Sequence, residues 1–205
     1  MVRWQPDAYG RLREAALSLF IEQGFEKTTV AQIAERAGLN RRTFFHHFAD
    51  KREVVFAGQA ESDELIAAEI RAQPASVDPL HAATAGLRRV AAEIFEQFRP
   101  GAVELGRVIA ASPELQEREL VKRAALAATM AAALRDRGAP ETAATVAGWS
   151  AAAVFFVARN RWNQPANRET LADLIDDTLR DFLGATGPDA SPATPGRHGP
   201  RRHTE

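Results

Sequence analysis

Apolar residues recur three and four positions apart along most of the chain, and this spacing is typical of amphipathic helices. The clearest stripes lie in residues 12–20, 87–98, 126–134 and 171–182. Prolines and glycines separate the stripes, because proline cannot continue a helix interior. The alternation typical of strands is nearly absent, so the pattern predicts an all-α fold with roughly nine helices.

The first 56 residues predict a compact head of three helices. These cover residues 9–23, 30–37 and 41–48. Thr29 and Gln32 have the spacing of a capping box at the start of the second helix, and Asn40 is a good cap for the third. The link between those two helices is about three residues long and contains a glycine, which is the helix-turn-helix arrangement. In that arrangement the third helix enters the major groove of DNA.

The first turn of the third helix is basic, since it contains Arg41 and Arg42. Cations at this end oppose the helix dipole, so an anionic partner explains them better than helix stability does. Arginine is also the usual reader of guanine in the major groove. Two solvated arginines on a surface helix would account for the sequence about equally well. Lys51 begins a further helix that Asp50 can cap, and the N-terminus of that helix and Lys51 together suggest a phosphate anchor.

Helix geometry separates the other side chains of the third helix. Phe44 and Phe48 are four residues apart and are expected to hold this helix against the other two. His46 and His47 diverge by about 100°, which disfavours joint chelation of a metal and favours phosphate contact, with plain surface exposure as the other interpretation. Phe45 points elsewhere and either packs on DNA or fills the edge of the core.

Several short segments of the head agree in order and spacing with one known family. They are residues 24–34, 37–39, 44–48 and 50–53. These segments resemble the TetR/AcrR family of transcriptional regulators, and the resemblance covers about residues 8–56. It implies a homodimer that binds a palindromic operator in double-stranded DNA. It also implies a ligand-responsive regulator in the cytoplasm, most often a repressor that a small molecule releases.

The same resemblance places DNA contacts on nine positions of this chain. They are Thr28, Thr29, Arg41, Arg42, Thr43, Phe45, His46, His47 and Lys51. We expect the two arginines to read bases, and the two threonines, His47 and Lys51 to contact phosphate. The family usually has tyrosine where this chain has Phe45, which lacks the hydroxyl for a phosphate bond.

Residues 57–184 are predicted to form a larger helical bundle for ligand binding and dimerisation. By analogy with the family, the last two long helices, residues 141–160 and 167–184, form the dimer interface. The first of them is almost free of charge over residues 143–158. A helix that is apolar all round must be buried, either against a partner or as a central helix of a monomer.

A ligand pocket is expected between the middle helices of this bundle. Residues 107–115 resemble the mycofactocin-system branch of the family, which implies a small, largely apolar effector of the acyl-CoA type. Apolar stripes at helical spacing are more often plain core than ligand contacts. The candidate lining residues are Phe56, Leu87, Phe95, Phe98, Leu105, Ile109, Met130, Trp149 and Phe156.

Composition excludes several classes of protein. The 26 basic and 27 acidic residues nearly balance, which is not typical of a polybasic membrane-surface protein. The chain has no cysteine, which excludes thiolate metal sites and cysteine nucleophiles and fits a reducing cytoplasm. The longest apolar run, near residues 151–158, is well short of the ~20 residues that span a bilayer. Residues 185–205 are rich in proline and glycine and predict a disordered tail.

Two other classes of function compete with DNA binding. An enzyme needs an acid, base or nucleophile with a partner in a cleft. Asp173, Asp176 and Asp177 are candidates for holding a metal, but their spacing favours a solvated helix face, so neither an enzyme nor a cofactor is expected. The second alternative is a helical protein-interaction module without specific DNA binding. The tight turn and the arginine pair disfavour it.

Overall fold

The computed structural model describes residues 7–186, and this part of the chain is all-helical. It contains ten α-helices, close to the number that the sequence predicts. They are α1 (Ala8–Gln23), α2 (Val30–Arg36), α3 (Arg41–His47), α4 (Lys51–Val55), α5 (Gln59–Ala72), α6 (Pro79–Val90), α7 (Arg99–Ala110), α8 (Pro113–Asp136), α9 (Glu141–Trp162) and α10 (Leu171–Thr186).

The caps of the head form as the sequence predicts. The backbone N–H of Gln32 donates to Thr29 Oγ1 at 3.2 Å, and Gln32 Oε1 accepts from the Thr29 N–H at 2.8 Å, which completes the capping box of α2. Asn40 Oδ1 accepts from the Thr43 N–H at 2.9 Å and caps α3. Gly38 turns the chain between these helices at φ 64°, a conformation that glycine adopts without the steric cost of a Cβ atom.

The head has its own apolar core between α1, α2, α3 and α4. Leu12, Phe20 and Phe44 are among its fully buried side chains, and burial of each contributes roughly 1.5–3 kcal/mol. Two residues of the larger bundle belong to this core as well, Ile109 of α7 and Leu115 of α8. The end of α7 and the start of α8 are therefore packed into the head.

The larger bundle is built around α5, α6, α8, α9 and α10, whose apolar faces form a second core. Helices α8 and α9 approach closely at Gly148, where a Cβ atom would lie 2.6 Å from the carbonyl oxygen of Ala127. Trp162, at the end of α9, is fully buried, and its Nε1–H donates to Glu96 Oε1 at 3.0 Å.

The predicted stripe over residues 87–98 is not one regular α-helix. Helix α6 ends at Val90 and continues as a π-helical turn, Ala91–Phe95, and a 3₁₀ turn, Glu96–Phe98. Glu96 follows the wide turn, and its Oε1 also accepts from the backbone N–H of Leu171 at 2.6 Å. The irregular turns therefore bring a carboxylate to the start of α10, which the spacing of apolar residues could not indicate.

The last two helices differ from their predicted bounds. Helix α9 is two residues longer than predicted, and α10 begins at Leu171 rather than near residue 167. Helix α10 ends at Thr186, so residues 185 and 186 of the predicted tail are helical, and residues 187–205 lie outside the described part.

Helix α9 is long and apolar enough to cross a membrane, with a mean hydropathy of 1.3, but core helices of soluble proteins pass the same test.

Candidate nucleic-acid interface

Helix α3 presents a basic face to solvent and an aromatic face to the head core. Arg41, Arg42 and His46 are exposed, and 51% of Phe45 is exposed. Phe44 and Phe48 are buried on the opposite side with their ring centroids 5.5 Å apart, as the sequence predicts. The buried pair fixes α3 against α1 and α2, which leaves the basic residues on the outer surface.

The two arginines of α3 carry charge that their surroundings do not neutralise. Within residues 7–186, neither Arg41 nor Arg42 has an acidic partner at ion-pair distance. Both lie in the first turn of the helix, where the positive end of the helix dipole adds to their charge. This arrangement favours an anionic partner at the exposed end of α3.

The adjacent residues Thr28 and Thr29 have opposite environments. Thr29 is exposed at the start of α2. Thr28 is only 1% exposed, and its hydroxyl donates to the carbonyl oxygen of Gly24 at 2.9 Å. The buried hydroxyl of Thr28 is engaged inside the loop, so the expected phosphate contact by this side chain is not supported. Its role is to shape the loop between α1 and α2.

Lys51 also differs from the expected phosphate anchor. Its Nζ donates to the carbonyl oxygens of Phe25 at 2.9 Å and Thr28 at 3.3 Å, and it lies 4.0 Å from the centroid of the Phe25 ring. The ammonium group is thus half-buried and already has partners. Its observed contacts hold the loop before α2 against α4.

The remaining contact candidates lie along α3. Thr43 is half-buried and its hydroxyl donates to Asn40 Oδ1 at 3.1 Å. The rings of His46 and His47 are 5.1 Å apart, and His47 also packs edge-on against Tyr9. Among the described residues, no group of three or more histidine, aspartate or glutamate side chains is placed to hold a metal.

Arg11 is a residue of the head that sequence reasoning missed. From α1 its Nη2 donates to the carbonyl oxygen of Ala37, and it lies 3.4 Å from that of Gly38. These carbonyls belong to the turn between α2 and α3. Arg11 therefore fixes the turn of the helix-turn-helix. It lies more than twenty residues earlier in the sequence, so no local pattern indicates this contact.

The nine candidates for a ligand pocket do not line one cavity. Phe56, Leu105 and Ile109 pack in or against the head core. Leu87, Phe95, Met130 and Phe156 pack in or against the core of the larger bundle. Trp149 is 54% exposed on the outside of α9, and the side chain of Phe98 lies outside the described part. Most of these residues fill two separate cores, so a single apolar pocket lined by all nine is not supported.

A cleft of about 350 Å³ does lie between α7, α8 and α9. Its lining residues are Gly106, Ile109, Ala110, Gln116, Glu119, Leu120, Arg123, Arg159, Asn160 and Asn163. Only Ile109 among the nine candidates contributes to it. The charged lining residues come from α8 and α9, some forty residues apart in the sequence, so spacing along the chain could not bring them together.

Polar contacts join the head to the larger bundle. Ser112 Oγ donates to Glu26 Oε1 at 2.9 Å. Glu53 of α4 accepts from Arg118 Nε at 2.7 Å and from Lys122 Nζ at 3.3 Å, and both of these residues are on α8. The position of α8 is therefore coupled to the position of α4 and the head.

The three aspartates of α10 take part in ordinary surface contacts. Asp173 Oδ2 accepts from the Thr170 hydroxyl at 2.7 Å. Asp176 pairs with Arg88 at 3.2 Å, and Asp177 pairs with Arg180 at 2.9 Å. These contacts agree with the expected solvated helix face.

The head of the chain matches a known family. Residues 12–57 match the family model described as "Bacterial regulatory proteins, tetR family". This range contains the helix-turn-helix and all nine predicted DNA contacts. The match to the tetR family concerns the head alone. The resemblance seen in the sequence is thereby confirmed for the head.

Two curated relatives share part of this chain. The HTH-type transcriptional regulator TcmR of Streptomyces glaucescens is 44% identical over 80 residues, which are 39% of this chain and 35% of TcmR. The HTH-type transcriptional repressor KstR2 of Mycobacterium tuberculosis is 46% identical over 46 residues, which are 22% of this chain and 23% of KstR2. The matches thus span about a third or less of each relative. Both names are those of regulators rather than enzymes, in agreement with the sequence.

Solved structures of two repressors share the fold over most of this chain. The FadR repressor of Thermus thermophilus, crystallised with lauroyl-CoA, is 24% identical, with 92% of this chain and 100% of FadR covered and a TM-score of 0.55. The SmeT repressor of Stenotrophomonas maltophilia is 20% identical, with coverages of 93% and 98% and a TM-score of 0.54. At these identities the comparison establishes a common helical head and bundle.

One apolar face of the described part of this chain is uncovered. Val146, Trp149 and Val157 are each at least half exposed on α9, at spacings of three and eight residues. Leu183 of α10 is also exposed. Helix α9 is therefore apolar on its inner and outer faces, as the near absence of charge predicts, but its outer face has no cover within the described chain.

Proposed function

We propose that this chain is a transcriptional regulator that acts as a repressor by binding a palindromic operator. The observation that carries the proposal is the exposed pair Arg41 and Arg42 at the start of α3, which have no acidic partner within the described part of the chain. A helix of this kind in a helix-turn-helix inserts its N-terminal end into the major groove. A bidentate arginine contact with guanine discriminates against the wrong base by roughly 1–3 kcal/mol.

The proposed contacts divide by their position on the surface. Arg41 and Arg42 read bases, because their guanidinium groups lie at the exposed N-terminal turn of α3. The exposed or half-exposed side chains of Thr29, Thr43, His46 and His47 contact phosphate. Phe45 packs its exposed ring against sugar or a thymine methyl group. Thr28 and Lys51 act indirectly, since they hold the loop that precedes α2.

The operator-binding species is proposed to be a homodimer formed through α9 and α10. The exposed face with Val146, Trp149 and Val157 on α9 supports this assignment, because apolar side chains of this size favour burial against a partner. A two-fold related copy of α9 presents the same face and completes a symmetric interface. The two heads would then enter successive major grooves about 34–36 Å apart.

Release by a small effector is proposed to act through α7 and α8. Ile109 and Leu115, at the junction of these helices, pack in the head core, and Ser112 between them bonds to Glu26. A ligand that favours a different position of this junction shifts the heads and lowers operator affinity through differential binding to the two states. The regulator would act in the cytoplasm, where operator DNA is accessible. The expectation of an acyl-CoA-type effector rests on residues 107–115 alone.

Recovery of bound genomic DNA tests the proposal. The purified full-length protein is incubated with fragmented DNA of its host, and the retained fragments are sequenced. We expect enrichment of one palindrome by the wild-type protein and by Arg71→Ala, a control at an exposed arginine of α5. The double variant Arg41→Ala with Arg42→Ala should lose the enrichment. Retention of all fragments in a salt-sensitive manner, with no enriched palindrome, would instead favour a protein-interaction module.

A further inference from the structure

Three charged side chains form a connected group on one wall of the cleft between α7, α8 and α9. Arg123 Nη2 donates to Glu119 Oε2 at 2.8 Å, and Arg159 Nη2 donates to Glu119 Oε1. Two guanidinium groups therefore share a single carboxylate. The group carries one positive charge that is not neutralised within it.

This excess charge lies in a poorly solvated place. The Glu119 side chain is only 13% exposed and that of Arg159 is 21% exposed. Burial lowers the pKa of Arg159 below its ordinary value, the attraction of Glu119 opposes this, and the like charge of Arg123 lowers it further. An additional anion beside the two arginines would stabilise their charged forms.

Hydrogen-bonding groups at the same place lack partners. The Nε atoms of Arg123 and Arg159 and the Oδ1 atom of Asn163 are buried without a hydrogen-bond partner in the described chain. The two Nε–H groups are donors and Asn163 Oδ1 is an acceptor. Buried polar groups without partners are costly, and native proteins seldom leave several of them together. A ligand that brings acceptors to this wall would satisfy at least part of that deficit.

The two guanidinium groups are held in place by an aromatic ring. The Cζ atom of Arg123 lies 4.0 Å from the centroid of the Phe156 ring, and that of Arg159 lies 4.9 Å from it. Stacking of this kind limits the orientations of both side chains. The arginines are thus arranged in advance for a planar anion.

The rest of the cleft suits a compact ligand with an apolar part. Its volume is about 350 Å³, and Ile109 of α7 and Leu120 of α8 form part of its wall. Glu119 already shows that a carboxylate can bridge the two arginines. The single unbalanced positive charge matches a monoanion rather than a phosphate dianion.

We propose that this cleft binds a small amphipathic carboxylate, with its carboxylate group on Arg123 and Arg159 and its apolar part against Ile109 and Leu120. Ile109 also belongs to the head core, so the ligand contacts a residue that packs against the DNA-binding head. The assignment of this ligand as the effector rests on the proposed function. The binding of the carboxylate in this cleft does not rest on it.

Calorimetric titration of the full-length protein without DNA tests the site. The probes are hexanoate and benzoate, their uncharged analogues hexanamide and benzamide, inorganic phosphate, and octanoyl-coenzyme A. We expect at least one carboxylate to bind and its amide to bind at least tenfold more weakly. Equal binding of acid and amide would overturn the proposal. So would failure of both carboxylates, or binding of phosphate or octanoyl-coenzyme A alone.

Variants of the charged group test its role. Arg123→Gln and Arg159→Gln should each weaken carboxylate binding at least tenfold, and Arg159→Lys should restore part of it. Glu119→Gln removes the competing carboxylate and should tighten binding several-fold, a change of sign that a merely structural role would not produce. Circular dichroism checks that each variant is folded, and Arg71→Gln is the matched surface control. Unchanged affinity in Arg123→Gln, or weaker binding in folded Glu119→Gln, would contradict the assignment.

The two proposals fail in different ways. Carboxylate binding without enrichment of an operator would overturn the regulatory function and leave the ligand site standing. Operator binding without carboxylate binding would overturn the ligand site and leave the regulatory function standing. If both hold, hexanoate or benzoate should weaken operator binding by the wild-type protein and not by Arg123→Gln.

Discussion

Lys51 donates through Nζ to the carbonyl oxygen of Phe25 at 2.9 Å, and the same ammonium group lies 4.0 Å from the centroid of the Phe25 ring. One lysine at the start of α4 thus holds the backbone and the side chain of a loop residue before α2. The loop in turn sets the position of Thr29, which caps α2. Lys51 links the geometry of the proposed DNA-binding surface to the stability of the head.

Substitution of Lys51 therefore has two expected effects. Lys51→Ala should lower the free energy of unfolding by about 1–3 kcal/mol, since hydrogen bonds from a charged group are lost. It should also weaken binding to all DNA sequences alike, because the loop before α2 loosens. Urea denaturation and fluorescence anisotropy measure the two effects. Lys27→Ala, at an exposed lysine of the same loop, is the control, and equal stability of the two variants would contradict this role of Lys51.

The cap of α3 predicts a contrast between two substitutions at one position. Asn40→Ala removes the acceptor of the Thr43 N–H and should cost about 1 kcal/mol of stability, with a parallel loss of DNA affinity as the first turn of α3 frays. Asn40→Ser retains a capping oxygen and should behave nearly as the wild type. Thermal unfolding and operator titration of both variants check this. Similar losses of stability and DNA affinity in Asn40→Ala and Asn40→Ser would show that Asn40 does not act by capping α3.

The ion pairs of Glu53 predict an energetic coupling between α4 and α8. Glu53→Gln should lower stability by up to about 1 kcal/mol, because half-buried pairs contribute modestly after desolvation. Arg118→Gln should cost a similar amount, and the double variant should cost less than the sum. A double-mutant cycle by urea denaturation measures the difference. Strict additivity would mean that the observed contact does not couple the head to the larger bundle.

Asp63 predicts a pH dependence of stability. Burial raises the pKa of Asp63 to about 6, although nearby Lys122 opposes the shift. Between about pH 4 and pH 6 the folded chain therefore holds a proton on Asp63 that the unfolded chain has released. The stability linked to this group is fully present below about pH 4 and is lost as the pH rises through about 6. Asp63→Asn should equal the wild type near pH 4 and exceed it by about 1 kcal/mol at pH 7, after allowance for solvent screening. Denaturation at both pH values tests this, and a constant difference would contradict it.

Local features of the head could be predicted from the sequence because their signals lie within a few residues. Thr29 and Gln32 form the capping box that their spacing indicates, and Phe44 and Phe48 are buried together as their separation of four predicts. The same local rules fail for Thr28 and Lys51. Their environments depend on how the loop before α2 packs on α4, and no pattern within either segment reports that contact.

The larger bundle was predictable in outline but not in its cleft. Helical periodicity finds α8 and α9, yet it cannot show which side of each helix faces a partner. It therefore predicts Trp149 in a pocket, although this residue is exposed. The cleft joins Glu119 and Arg123 to Arg159 across two helices. Charged residues on such helices are usually solvated, and only the crossing of α8 and α9 near Gly148 brings these three together.

Base reading by α3 is tested by titrating Arg42→Ala and the wild type on two DNA duplexes. One duplex carries the enriched palindrome and the other a scrambled sequence of equal length, both at the same salt concentration. For Arg42→Ala we expect a loss of about 1–3 kcal/mol of binding free energy on the palindrome, relaxed base preference at one position of each half-site, and a much smaller loss on the scrambled duplex. An equal loss on both duplexes would contradict base reading by Arg42.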